Sequence, residues 1–234
     1  MSWQRELLED FALNAAQVAQ FEQLLELLVS VSDRNLTAVT DPANIINLHF
    51  RDSLSLLAQP EVHQASTAVD VGSGAGFPGL PLAIARPDLT VSMIEATKKK
   101  VDFIDVAISV LALKNARALP VRAEEAGRSE LRDAFDVALA RAVGSLSLVL
   151  EYCLPLVRVG GSAILQRGAG EAGDNENAAR VAAQLGGKLV RKEAYRPYQG
   201  AKNLHVWVFI KSAPTPERFP RRPGMARKKP LGSS

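Results

Sequence analysis

Residues 69–79 read VDVGSGAGFPG, and the reading of this stretch decides the fold. A short apolar run, Ala68–Val71, leads into it, and a helical run, Leu80–Arg86, leaves it. Gly72, Gly74 and Gly76 let the backbone turn tightly and come close to a ligand with no Cβ in the way. Working outward, short apolar runs at 90–94, 116–121, 135–140, 162–166, 188–192 and 204–210 bring the candidate strands to seven. Helical stretches separate them, such as Lys98–Leu113, where Val101, Ile104, Ile108 and Leu111 share one face. This alternation predicts an α/β fold, a mostly parallel sheet with helices on both faces. Pro120 places the third strand at a sheet edge, where a missing N–H is tolerated.

Upstream of the sheet, Leu7, Leu8, Phe11, Val18, Phe21, Leu24, Leu25 and Leu28 recur at helical spacing. A second helix is predicted from Pro42 to Leu57, capped by Asp41 with Pro42 at its first position. The organisation expected is a helical extension over 1–65, a ligand-binding α/β domain over 66–212 and a basic, proline-rich tail over 213–234. The formal charge of +3 is uneven: the extension carries three basic and nine acidic side chains, whereas the tail carries six basic and one acidic. Five prolines in the tail argue against a helix or central strand there. It reads equally as a solvated end or as an electrostatic arm for a phosphate backbone. The single cysteine, Cys153, excludes an internal disulfide and suits a reducing compartment. With three histidines it also argues against structural zinc or an iron–sulfur cluster. No apolar run reaches membrane-spanning length and the first residues lack a signal pattern, so a cytoplasmic protein that does not enter a membrane is expected.

Two ligand classes use such a glycine loop. A dinucleotide would bring pyrophosphate, which Asp70, two residues before Gly72, would tend to repel. S-Adenosylmethionine carries an ammonium and a sulfonium, which a carboxylate attracts. The spacing is also G-x-G-x-G rather than G-x-G-x-x-G, and the methyl donor is favoured. Glu95, 23 residues after Gly72, stands where a carboxylate can accept ribose hydroxyls. Ala123-Glu124 follows the third strand, where an adenine edge could be bonded, although Glu124 and Glu125 read equally as a solvated helix start. From the residues alone the candidate donor contacts are Asp70, Gly72, Ser73, Gly74, Gly76, Glu95, Ala123 and Glu124, with no metal site.

The fourth strand ends in Ala140-Arg141-Ala142-Val143 and lacks the Asp/Asn-Pro-Pro-aromatic turn usual in enzymes that methylate exocyclic amines. Cys153 lies in an apolar helix, LVLEYCLPL, and reads as a packing residue rather than a nucleophile. An acceptor that is already nucleophilic remains; N7 of guanine loses no proton on methylation and needs no general base. Arg141, the candidate catalytic residue, could grip guanine through O6 or stack on it. A structural salt bridge under the sheet is its other reading.

With these residues assembled, the chain resembles the small-subunit (16S) ribosomal RNA guanine-N7 methyltransferase G family, also called glucose-inhibited division protein B. The marks are RNLTAVTD at 34–41, HFRDSL at 49–54, VDVGSGAGFPGLPLAI at 69–84, ARAVGSL at 140–146 and the closing RRPGMARKKPL. The resemblance implies a Rossmann-like, seven-stranded class I methyltransferase sheet with an amino-terminal helical extension. It also implies a bacterial cytoplasmic enzyme that methylates one guanine in the decoding-region loop of the small ribosomal subunit; its partner is 16S ribosomal RNA or the small subunit, and a monomer is expected. The family's donor-binding positions match Gly72, Phe77, Ala123, Glu124 and Arg141, and Glu95 stands where the family has an acid. Arg34 and Arg51 could touch RNA, His49 reads as a packing histidine, and Asn35 and Thr37 fall in family motifs without an assigned role. Lys98, Lys99 and Lys100 could contact phosphates or simply open an exposed helix. The alternatives are a methyltransferase for a small molecule or protein, a nicotinamide-dependent oxidoreductase, and a donor-binding assembly factor without catalysis.

Overall fold

The computed structural model describes residues 2–31, 36, 37, 39–168 and 175–232. The amino-terminal apolar spacing forms two helices, α1 (Trp3–Phe11) and α2 (Ala15–Ser30). Ala12, at a left-handed φ of 52°, ends the first. Asn14 and Gln17 exchange side-chain and main-chain hydrogen bonds in a capping box that starts the second. Asp41 caps the next run as expected, accepting from the Asn44 N–H at 2.9 Å. That run is not one uniform helix. α3 (Pro42–Ile45) widens into a π-helical segment, Ile46–Arg51, before α4 (Asp52–Leu54), a 3-10 turn (Ser55–Ala58) and α5 (Pro60–Gln64).

All seven expected strands form: β1 (Thr67–Val71), β2 (Thr90–Ile94), β3 (Ala116–Leu119), β4 (Phe135–Arg141), β5 (Val157–Arg167), β6 (Gly187–Tyr195) and β7 (Leu204–Lys211). Between and after them lie α6 (Gly79–Ala85), α7 (Lys98–Val110), α8 (Ala123–Ala126), α9 (Leu146–Cys153), α10 (Asn175–Gln184) and α11 (Met225–Lys228). The sheet order is β3-β2-β1-β4-β5-β7-β6. β7 runs antiparallel to both its neighbours and the other pairings are parallel. β3 lies at an edge as Pro120 predicts, and it stops at Leu119, one residue before the proline. The chain starts at β1, steps out to β3, then returns to the other side of β1. The β1/β4 border is therefore the topological switch point, where sheets of this kind open a crevice beyond the carboxyl ends of their strands.

Each face of the sheet has its own apolar cluster. On one, the amino-terminal helices pack with α6 and α7; Phe21, Phe50 and Phe77 belong to this cluster. Gln17 donates to the carbonyls of Ile84 and Ala85, and Gln20 to that of Leu111. These bonds satisfy carbonyls left over at the ends of α6 and α7. α8, α9 and α10 cover the other face together with Phe219.

The tail differs from its sequence reading as a free end. Residues 213–232 fold back over the second cluster and include the short helix α11. An extended segment rich in proline offers carbonyls without strand partners, and arginines supply the donors. Arg132 donates to the carbonyl of Phe219 at 2.8 Å and Arg128 to that of Pro220 at 2.7 Å. Arg221 pairs with Glu151, whose side chain is wholly buried. The cations of Arg128, Arg132 and Arg221 thus serve the packing of this segment.

Candidate active site

β1 delivers the glycine loop at the switch point, and most of the loop's N–H groups find acceptors within the protein. The N–H groups of Gly72 and Ser73 donate to the Ile94 carbonyl, and those of Gly76 and Phe77 to the Ser73 carbonyl. The Gly74 N–H donates to Glu95 Oε2 at 3.1 Å. At the start of α6, the Gly79 N–H donates to Asp70 Oδ2 at 2.8 Å. A pyrophosphate needs free N–H groups and a positive helix end. Here those N–H groups are taken, and a carboxyl group occupies the helix end.

Asp70 therefore does not face the ligand space. It is fully buried beneath the loop, with Oδ1 lacking a hydrogen-bond partner. Its place in the central strand, between Met93 and Leu139, puts it there. Burial raises its pKa to about 7, against the opposing pull of the Gly79 N–H and of Arg141. The consequence for stability has a definite sign. Below about pH 4 both folded and unfolded chains hold the proton; as pH rises toward 7 the unfolded chain releases it first, so stability falls. Asp70→Asn imitates the protonated form. Relative to wild type it should gain up to about 4 kcal/mol between pH 4 and pH 7.5 in urea titrations. Parallel pH profiles for the two proteins would refute the shift.

Beyond the loop lies a cavity of about 410 Å³, within the range of small-molecule sites. Gly72 and Val143 wall one side and Glu95 another, while Ala123, Glu124 and Tyr152 stand further along. Gly72 has a φ of +72°, and a Cβ there would lie 2.9 Å from Val143 Cγ2, so glycine is required. Glu95, nearly buried, accepts from the Thr97 N–H at 2.7 Å as well as from Gly74. The two bonds hold its carboxylate at the end of β2, and each oxygen retains lone-pair capacity for hydroxyl donors. Glu124, also nearly buried, accepts from the Tyr152 hydroxyl at 3.0 Å. Ser73, Gly74, Gly76, Phe77 and Arg141 do not line this cavity. The first four build the loop around it, and Arg141 ends β4 just before the lining residues Ala142, Val143 and Gly144.

Arg141 sits in a separate polar cluster. Its Nη1 donates to the Leu48 carbonyl at 2.7 Å and to Asp52 Oδ2 at 3.0 Å; Nη2 donates to His49 Nδ1 at 3.2 Å. The guanidinium lies 5.4 Å from the centre of the Phe77 ring, on which His49 stacks at 4.5 Å. Because Nδ1 must accept from Arg141, the His49 proton resides on Nε2, which donates to Thr37 Oγ1 at 2.9 Å. Burial and the adjacent guanidinium lower the His49 pKa to about 4, so the ring is neutral. Asp52 Oδ1 accepts from the Tyr195 hydroxyl at 2.7 Å, and Gln166 donates to the Asp52 carbonyl. Of the two sequence readings of Arg141, the salt bridge is present, to Asp52, and the residue directly precedes the cavity-lining stretch Ala142, Val143 and Gly144 in the chain. The wide π turn helps to set this up. Leu48, His49 and Asp52 reach Arg141, while Arg51 reaches Glu6 and Asp10 in α1.

Arg51 is corrected by that geometry. Its side chain is 9% exposed and doubly ion-paired, so it is no RNA contact. Arg34 and Asn35 lie outside the described residues. Of the lysine trio, Lys98 pairs with Asp102 on the surface, whereas Lys100 lines the cavity. Cys153 is fully buried, and burial raises its pKa, so it packs as its helix predicts. Sequence reasoning missed Asp52, Tyr152, Gly224 and Arg227. Asp52, Gly224 and Arg227 stood inside quoted motifs, HFRDSL and RRPGMARKKPL. Tyr152 carried no signal beyond helical spacing.

Known proteins now bear on this arrangement. The profile of the GidB family, rRNA small subunit methyltransferase G, matches residues 17–196. The ribosomal RNA small subunit methyltransferase G of Moorella thermoacetica is 40% identical over 223 residues, 94% of this chain and 92% of that protein. The protein of the same name from Halalkalibacterium halodurans is 37% identical over 97% of both chains. Among solved structures, the S-adenosylmethionine-dependent methyltransferase SibL superimposes with a TM-score of 0.55 at 17% identity, covering 69% of this chain and 55% of SibL. A point mutant of the 16S rRNA (adenine(1408)-N(1))-methyltransferase of Catenulisporales acidiphilia gives 0.51 at 13% identity, over 66% of this chain and 89% of that one. At such identities these two structures speak for the fold alone, a class I methyltransferase sheet. The sequence matches go further: over nearly its whole length, this chain belongs to the rRNA small subunit methyltransferase G family.

Proposed function

We propose that the chain transfers a methyl group from S-adenosylmethionine to N7 of a guanine in the decoding-region loop of bacterial small-subunit (16S) ribosomal RNA. The observation that carries the donor is the loop's closed hydrogen-bonding. With the N–H groups of Gly72, Ser73, Gly74, Gly76, Phe77 and Gly79 spent on Ile94, Ser73, Glu95 and Asp70, it offers a poor phosphate cradle, while the cavity presents carboxylates at Glu95 and Glu124. Those groups fit an adenosine with two ribose hydroxyls, an exocyclic amine and no phosphate. This weighs against the nicotinamide-dependent alternative.

The residues divide the work. Glu95 accepts from the ribose, and Ala123 and Glu124 meet the adenine edge. Gly72 and Val143 narrow the space beside the loop. Bound there, the donor supplies a sulfonium methyl open to in-line displacement. Arg141, held by Asp52 and His49 above the Phe77 ring, presents its guanidinium to the acceptor base. Among the described residues at that spot, His49 uses both ring nitrogens, and the Asp52 carboxylate is engaged by Arg141 and Tyr195. An acceptor that loses no proton suits this arrangement. Orientation then accounts for the rate, because holding acceptor and donor in line replaces an encounter in solution.

The relatives' shared name supports ribosomal RNA of the small subunit as the substrate. Action as a monomer in the cytoplasm belongs to the same proposal; no helix among the described residues is long and apolar enough to cross a membrane. The test uses small-subunit RNA lacking the modification, incubated with enzyme and donor. Borohydride and aniline then cleave the chain at 7-methylguanosine. One new cut in the decoding-region loop is expected. Methyl incorporation with no such cut would reject the N7 assignment, and incorporation only into protein or small molecules would reject RNA.

A further inference from the structure

The folded tail touches the donor cavity. Gly224 and Arg227 both line it, although they lie roughly 100 residues beyond Glu124 in the chain. The Gly224 N–H donates to Glu124 Oε1 at 3.0 Å, and the Tyr152 hydroxyl donates to the same oxygen, also at 3.0 Å. One oxygen of this nearly buried carboxylate is thus fixed from two sides, by α9 and by the tail. Oε2 accepts no hydrogen bond from the protein among those described, and Glu124 borders the cavity. The tail is anchored close by. Arg221 meets Glu151 through Nε and Nη2, and its own main-chain N–H donates to the same carboxylate at 2.8 Å. Glu151 is the residue before Tyr152, so one turn of α9 both fastens the tail and supplies the second donor. Gly224 adopts a φ of +80°, which lets its N–H face Glu124 where other residues would be strained.

We infer that the carboxyl-terminal segment is part of the donor site: Gly224 and Tyr152 are positioning residues that aim Glu124 at the exocyclic amine of the donor's adenine, so docking of the tail and binding of the donor reinforce each other. This rests on the donor reading proposed above. Tyr152 is kept protonated by burial and by the neighbouring carboxylate, so it donates throughout the working pH range. A carboxylate held this way accepts from a 6-amino purine and repels a 6-oxo purine, which presents oxygen at that position. Such sites reject the wrong partner strongly, since a buried polar group would be left unpaired. Binding energies of coupled sites are reciprocal, so the donor must also tighten the tail.

The test measures affinities of the full-length protein for S-adenosylhomocysteine and S-inosylhomocysteine by calorimetry, with wild type and Tyr152→Phe. Wild type should prefer the adenosyl compound by about 100-fold or more. Tyr152→Phe should weaken adenosyl binding about 5–10-fold and shrink the preference by a similar factor. A purely structural tyrosine would weaken both compounds alike and leave the ratio unchanged; that result overturns the inference while the donor reading stands. A wild-type protein that binds neither compound overturns both. In a second measurement, hydrogen exchange of the peptide spanning 222–229 should slow in wild type when S-adenosylhomocysteine is added. Exchange indifferent to the compound, with binding saturated, rejects the coupling.

Discussion

Gly74→Asp should lose S-adenosylmethionine binding by about 100-fold or more in calorimetry, with the fold intact. The position is open: a Cβ built on Gly74 meets nothing within 4 Å. The new side chain therefore enters the loop's open space without colliding with the core. Its backbone φ of +60° is left-handed, a region that aspartate tolerates better than most residues, at a cost of about 1 kcal/mol. In a protein of this size that lowers the melting temperature by about 2–4 °C. The effect on the site is larger. Glu95 Oε2 lies 3.1 Å from the Gly74 nitrogen, so two carboxylates would stand about 5 Å apart and repel by about 3 kcal/mol at an effective dielectric of 20. Glu95 would swing away from the ribose position, and the new side chain would fill part of the space beside it. Unchanged affinity in a folded variant would put the donor elsewhere.

Arg141→Ala should reduce methyl transfer by about 100-fold or more, the scale of losing one aligned donor group at a reacting centre. Sequence alone leaves a contest between a structural and a functional arginine, with activity expected to fall far more than stability. The structure changes the second half of that expectation. Asp52, whose side chain is 10% exposed, would lose its cationic partner and keep the Tyr195 hydroxyl. A charged hydrogen bond lost in such surroundings costs about 1.5–3 kcal/mol. Both effects are therefore expected, and they separate by assay. The melting temperature should fall by several degrees, while rates measured well below it still show the full kinetic loss. Arg141→Lys should restore much of the stability and little of the rate, because an ammonium lacks the planar fork that bridges Leu48, Asp52 and a base edge. A lysine variant with near-normal turnover would reduce Arg141 to a structural pin.

What was legible in the sequence was local. Strand-to-helix alternation, the edge placement implied by Pro120, the Asp41 cap and the tight loop of Gly72, Gly74 and Gly76 depend on neighbouring residues and on backbone sterics. Periodicity and turn chemistry encode such features directly. The family marks added candidate donor positions by resemblance. The split of the first helical stretch into α1 and α2 was less legible, since Ala12 and Asn14 carry only a weak break between two apolar faces of the same period.

What only the tertiary structure decided were the partners of each charge. Asp70 reads as a ligand contact from its place before the loop, yet strand register buries it under Gly79, where it takes the position a phosphate would need. Arg51 and Arg141 look alike in sequence, but the π turn sends one to Glu6 and Asp10 and aligns Asp52 with the other. The tail reads equally as a solvated end or as an electrostatic arm, because its composition says nothing about Arg128, Arg132 and Glu151, which meet it from some 70 to 90 residues away. The physical reason is the same in each case. Local propensity is a property of neighbouring residues in the chain, whereas an ion pair or a buried carboxyl group takes its meaning from residues that only packing brings within hydrogen-bond reach.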